Sequence, residues 1–215
     1  MRDVYHEELD SIGATLIEMT GLVATALNQA TTALLNADLQ LAEKVIAADD
    51  QVDALQSALD ARALDLLARQ QPVAGDLRTI ITSLRMSADL ERMGDLARHV
   101  AKIARLRYPE TAVPAELNAS IAEMGRIGEE LAIKTGEIID GRDVEAARTL
   151  EEDDDAVDRL HRNLFSALLA ADYPVETAID VTLIGRYYER FADHAVSVAR
   201  RLIFLVTGEN WASGS

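Results

Sequence analysis

Asp89-Leu90-Glu91-Arg92-Met93-Gly94-Asp95 and its echo Tyr188-Glu189-Arg190-Phe191-Ala192-Asp193 decide how this chain is read. Each carries Glu-Arg-x-x-Asp within an otherwise apolar helical pattern. Glu91 and Asp95 are four apart, so on a helix they share one face about one turn apart. Like charges at that spacing repel by a few tenths of a kcal/mol in a bare helix. They continue the line of Leu77, Leu84 and Ala88, which predicts that they point where an apolar residue is expected. An inward carboxylate pair needs a counter-charge, and a bound cation is the simplest one.

Composition sets the class. The chain has 215 residues, 49% of them hydrophobic, enough for one large domain or two small ones. Ala and Leu abound, aromatics make up only 4%, and four prolines and eleven glycines interrupt the pattern, which is a helical composition. A net charge of −16 argues against nucleic acid bound through its phosphates and against a polybasic membrane patch. With no cysteine there is neither a disulfide framework nor a thiolate metal site. The first residues lack an apolar signal core, and the apolar run Leu202 to Val206 is far too short to span a bilayer. A cytoplasmic protein without direct membrane insertion is expected.

Outward from the motif, the periodicity predicts six helices. The first runs from Asp3 to Asn36 on Leu9, Ile12, Leu16, Met19 and Val23. Asn36-Ala37-Asp38 is a tight turn, and Asp38 caps a second helix ending near Arg69. Pro72 opens the third, which ends near Tyr108. Residues 109–114, bracketed by Pro109 and Pro114, read as a short stiff linker. Three more helices follow, 115 to 140, 143 to 171, and 174 to a stop at Gly208. Residues 209–215 read as a tail, and Trp211 within it has no assigned role.

The halves are copies. Asp49-Asp50-x-Val52-Asp53-x-Leu55 matches Asp154-Asp155-x-Val157-Asp158-x-Leu160 at an offset of 105, whereas Glu91 and Glu189 are 98 apart. The second copy has therefore lost about two turns before its motif. The expected fold is all-α: two pseudo-symmetric antiparallel three-helix bundles, residues 1–108 and 115–208.

The repeat yields four carboxylate pairs: Asp49 with Asp53, Glu91 with Asp95, Asp154 with Asp158, and Glu189 with Asp193. Adjacent antiparallel helices bring them together as one four-carboxylate cluster per bundle. All-oxygen ligation suits Mg²⁺, Mn²⁺, Ca²⁺ or iron and is poor for selective zinc binding. The bland alternative is ion pairing to Arg78, Arg85, Arg92, Arg186 and Arg190. Di-iron chemistry wants Glu-x-x-His on two helices. Asp158-x-x-His161 is the nearest match, but Gln56 stands at its counterpart, and His99 is matched by Ser197. His194 directly follows its aspartate and points elsewhere. Neither a Ser-His-acid set nor a Gly-rich phosphate loop is present. The row Arg78, Arg85, Arg92, at spacing seven, could bind an anion, but pairing with acidic residues of a neighbouring helix or a partner is the expectation.

Pro72-x-Ala74-x-Asp76-Leu77-Arg78, the Glu91 motif, and Tyr188-Glu189-Arg190-x-x-Asp193-His194-Ala195 together resemble the PhoU family over essentially the whole chain. The resemblance implies multinuclear metal clusters on the Glu/Asp-x-x-x-Asp motifs, here Asp49, Asp53, Glu91, Asp95, Asp154, Asp158, Glu189 and Asp193. Divalent or trivalent ions of Mn, Mg, Fe or Zn are the cofactors expected. It further implies a non-enzymatic negative regulator that links a phosphate-specific ABC transporter to a membrane sensor histidine kinase, often as a homodimer. Such a protein would sit at the inner face of the membrane through its partners. The alternative function on the same carboxylates is a metal-dependent enzyme or a metal store. Ala192 departs from Gly94 of the first motif, so different packing is expected around the second cluster.

Overall fold

The computed structural model describes residues 2–70, 72 and 74–209, and the side chains among them except those of residues 2–6 and 70. The expected tail beyond residue 209, with Trp211, and the side chain of His6 lie outside the described residues. Six α-helices follow one another: α1 Arg2–Asn36, α2 Leu39–Gln70, α3 Gly75–Arg107, α4 Asn118–Gly141, α5 Val144–Ala170 and α6 Val175–Thr207. A 3₁₀ turn, Ala115–Leu117, leads into α4.

The repeat is written into the turns. Ala37 and Arg142, 105 apart, both take positive φ, 49° and 50°. Each is followed by an aspartate whose Oδ1 accepts from the backbone N–H three residues on. Leu41 donates to Asp38 and Ala146 to Asp143, both at 3.0 Å. Each such cap contributes about 1 kcal/mol. Gly208, at φ 77°, closes α6 through its N–H to the Phe204 carbonyl, as the sequence predicts. The expected start of α3 is corrected: Pro72 precedes the helix, because Ala74 at φ 48° and ψ −107° breaks the helical backbone and α3 begins at Gly75. The shortening of the second copy also has a place. Helices α2 and α5 start at equivalent residues, but α5 has 27 residues against 32, so its far end is trimmed.

Helices α1, α2 and α3 pack on one another, as do α4, α5 and α6, and the halves meet where α1 lies on α4 and α3 on α6. The result is a four-helix centre of α1, α3, α4 and α6, with α2 and α5 on its flanks. One continuous apolar core runs through both halves, from Ile12 in α1 to Ile203 in α6. The 109–114 connection lies on that core through Ala112 and Val113, which are 5% and 1% exposed.

Helix α1 approaches α4 closely at two places. A Cβ added at Gly125 would lie 2.6 Å from Thr31 Oγ1, and one at Gly136 would lie 2.5 Å from Thr20 Oγ1. Thr20 and Gly125 are 105 apart in sequence, and so are Thr31 and Gly136. One contact is therefore the image of the other, as a pseudo-two-fold axis between α1 and α4 requires. Thr31 Oγ1 also lies 2.7 Å from the buried Tyr188 hydroxyl of α6, tying the halves diagonally.

Candidate metal centre

The line that motivates an inward-facing motif is not the core stripe. Leu77 is 41% exposed and Ala88 is also exposed, whereas the core face of α3 carries Ile80, Met86, Leu90, Met93 and Val100. Glu91 and Asp95 lie at the edge of that face and are half-buried toward α2. This position keeps a carboxylate partly shielded without placing it among apolar side chains, so its cost is smaller than full burial would exact.

In the first half, α2 contributes Asp49 and Asp53, and α3 contributes Glu91 and Asp95. Asp49 is 5% exposed. It reaches this depth because α3 has no side chain at Gly94, where a Cβ would meet Asp49 Oδ1 at 2.8 Å. Burial pushes the Asp49 carboxyl up to about 6; Arg98 opposes the rise, while Asp53 and Asp95 add to it. Glu91 is raised by burial first and then by Asp95, with Asp53 and Asp49 adding to the effect. The four carboxylates therefore feel one another across the α2–α3 groove.

The second half repeats the arrangement with Asp154 and Asp158 on α5 and Glu189 and Asp193 on α6. Burial pushes Asp154 up to about 7, reinforced by Asp193, Asp158 and Glu189. Glu189 and Asp193 are raised as well, each by burial first and by carboxylates of its own cluster next. Asp193 is open to solvent on one side and Asp154 is half-buried. Ala192, fully buried, puts a methyl group where Gly94 leaves room for a carboxylate, so the expected difference in packing is present.

All eight carboxylates are thus gathered into two clusters. They do not form a finished coordination sphere: among the described residues no group of three or more His, Asp or Glu side chains is arranged to hold a metal ion. The side chains turn onto arginines instead. Arg92 lies 3.2 Å from Asp95 and 3.9 Å from Glu91, and Arg186 donates to Glu189. Within the arginine row, Arg92 pairs with Asp95 along its own helix rather than with a neighbouring one, and Arg78 lies 6.0 Å over the Phe204 ring of α6.

The donor set nevertheless suits a hard cation. Asp49 Oδ2 and Asp154 Oδ1 are buried and accept no hydrogen bond. Arg98 Nη1 is 2.8 Å from that Asp49 oxygen, off the hydrogen-bonding direction. Buried carboxylate oxygens without a donor, among other carboxylates, are stabilised by a cation. If metal binds, Asp49, Asp53, Glu91 and Asp95 would hold it in the first half and Asp154, Asp158, Glu189 and Asp193 in the second, where it would supply neutralisation of charge between α2 and α3 and between α5 and α6.

Sequence reasoning missed Arg98. Its spacing from Asp95 carries a signal, since three residues apart on a helix lets them pair, but its reach to Asp49 depends on the helix packing. The histidines follow the sequence reading in part. His194 Nδ1 lies 3.1 Å from Asp89 of α3, away from the cluster. His99 stacks on Tyr187 at 5.3 Å, and burial lowers its pKa. His161 is likewise lowered by burial, beside Phe165.

A family model described as the PhoU domain matches residues 16–104 and 121–202. The two segments begin 105 residues apart and end 98 apart, the two offsets of the internal repeat. The chain is 50% identical over 210 residues, 97% of its length and 99% of the relative's, to the phosphate-specific transport system accessory protein PhoU homolog 2 of Mycobacterium tuberculosis. It is also 50% identical over 210 residues, 97% of its length and 95% of the relative's, to PhoU homolog 1 of Mycobacterium leprae. Among solved structures, the crystal structure of PhoU from Pseudomonas aeruginosa superposes with a TM-score of 0.87 at 30% identity, covering 95% of this chain and 100% of that one.

Proposed function

The chain belongs to the PhoU family, and from that premise we propose that it is an accessory protein of a phosphate-specific transport system in its own host. The observation that carries this reading is identity of 50% along nearly the full length of both chains to a relative bearing that name.

The finer reading is a metal-binding regulatory adaptor. It restrains phosphate uptake and phosphate-starvation signalling by linking the ABC transporter to a sensor histidine kinase, without catalytic turnover of its own. Two clusters of raised carboxylates, each with a buried oxygen that accepts no hydrogen bond, support the metal. The net charge of −16 gives the adaptor a surface suited to basic faces on its partners. Among the described residues no helix is long and apolar enough to cross a membrane. On family resemblance, the protein reaches the membrane through its partners, from the cytoplasmic side, and works as a homodimer.

Deleting every copy of the gene in the host tests the function. Phosphate-starvation genes should be expressed, or uptake should run unchecked, when phosphate is plentiful. Normal repression in such a strain would overturn the regulatory assignment. Turnover or oxidative iron loading by the purified protein would favour a metal-dependent enzyme or metal store in its place.

A further inference from the structure

The two carboxylate clusters differ in how an arginine is held. Each has exposed arginines pairing along its own helices, Arg92 in the first and Arg186 and Arg162 in the second, but only the first has one that bridges its two helices. Arg98 of α3 places Nη1 2.8 Å from Asp49 Oδ2 on α2, and its Nη2 donates to Asp95 Oδ1 on α3. A single guanidinium therefore touches two of the four candidate ligands and joins the two helices that carry them. The counterpart of Arg98, 98 residues on, is Val196, an apolar residue only 5% exposed.

No arginine does the same work in the second cluster. Arg186 donates to Glu189 along α6, and Arg162 lies 3.8 Å from Asp158 along α5. Their side chains are 49% and 68% exposed. Neither ion pair crosses between α5 and α6, and Asp154 Oδ1, buried between those helices, accepts no hydrogen bond.

We infer that Arg98 is a built-in counter-cation of the first cluster that a metal ion must displace, so that the second cluster, which lacks it, takes metal first. The inference rests on the metal-binding reading and concerns how the two sites divide the ion. A guanidinium among four carboxylates lowers the net negative charge there and repels an incoming divalent cation. Displacement is feasible because Arg98 is held incompletely. Its contact with Asp49 is not a hydrogen bond, its Nε is buried with no partner, and its side chain is 25% exposed, enough to swing outward. At the second cluster only the exposed Arg186 and Arg162 have to move, each on its own helix.

Calorimetric titration of the full chain with Mn²⁺, paired with the spin-resonance signal of free Mn²⁺, tests this. The wild type should show two classes of site differing about tenfold or more in affinity, the scale on which contacting charges couple. Asp154→Asn with Asp158→Asn should remove the tight class and leave the weak one. Adding Arg98→Val should then tighten the remaining class by about tenfold. Arg98→Gln, which keeps most of the length without the charge, should act in the same direction and guards against a packing defect in the valine variant. Circular dichroism checks that each variant is folded. If Mn²⁺ binds but both Arg98 variants leave the weak class unchanged, or if the Asp154 and Asp158 changes remove the weak class, the role given to Arg98 is wrong while metal binding stands. Absence of any Mn²⁺ binding to the wild type would overturn both.

Discussion

Thr31 of α1 sits so close to Gly125 of α4 that a Cβ there would lie 2.6 Å from its hydroxyl oxygen and 3.1 Å from its own Cβ. Two effects oppose each other in Gly125→Ala. Alanine gains up to about 1 kcal/mol in helix propensity. Overpacking costs about 1–3 kcal/mol, and Thr31 has little freedom to yield because its hydroxyl lies against Tyr188 and also donates to the Leu27 carbonyl. The variant should therefore lose roughly 1 kcal/mol in denaturant unfolding. Gly136→Ala should cost a similar amount at Thr20, and the two losses should add because the sites lie about three turns apart. A stabilised Gly125→Ala would contradict the close approach of α1 and α4.

The reading of the repeat as two three-helix bundles makes a second prediction. A fragment of residues 1–108 should be helical by circular dichroism, since α1, α2 and α3 pack on one another. It should also self-associate on a sizing column, because the faces of α1 and α3 that meet α4 and α6 become exposed. A fragment without helical signal would show that neither half folds alone.

The repeat, the six helices, the Asp38 cap and the Gly208 stop were legible because each is local: spacing, a cap or a turn residue decides it. Grouping the eight carboxylates needed only the repeat and antiparallel neighbours. The start of α3 was not legible, because Ala74 adopts a backbone that its sequence does not advertise. Nor was the true inward face of α3. Leu77 and Ala88 share the helical spacing of Glu91, yet only packing decides which apolar stripe is core and which is exposed. Arg98 stayed hidden for the same reason: its second partner, Asp49, is on another helix.

The pH dependence of the metal-free protein follows from Asp49 and Asp154. Both carboxyls ordinarily titrate at 3.8 and are pushed up to about 6 and about 7 in the fold. A raised carboxyl favours the fold most fully below 3.8, and that stability is lost as pH rises through about 7. With chelator present, the melting temperature should be lower at about pH 8 than at about pH 5. Asp154→Asn should flatten this slope. A wild-type slope that Asp154→Asn leaves unchanged would place the titrating group elsewhere.

The most direct measurement of the central claim, that these carboxylates are held by metal, is thermal melting with and without Mn²⁺. The wild type is compared with a variant carrying Glu91→Gln, Asp95→Asn, Glu189→Gln and Asp193→Asn. An ion that binds only the folded state stabilises it by about 2.7 kcal/mol at a hundredfold excess over Kd. Chelator should lower the wild-type melting temperature, Mn²⁺ should restore it, and the variant should respond to neither. The metal-free variant should melt no lower than the metal-free wild type, because repulsion between the carboxylates leaves with their charge. An equal Mn²⁺ response in the two proteins, or none in the wild type, would contradict the account and leave the arginine ion pairs as the whole purpose of the clusters.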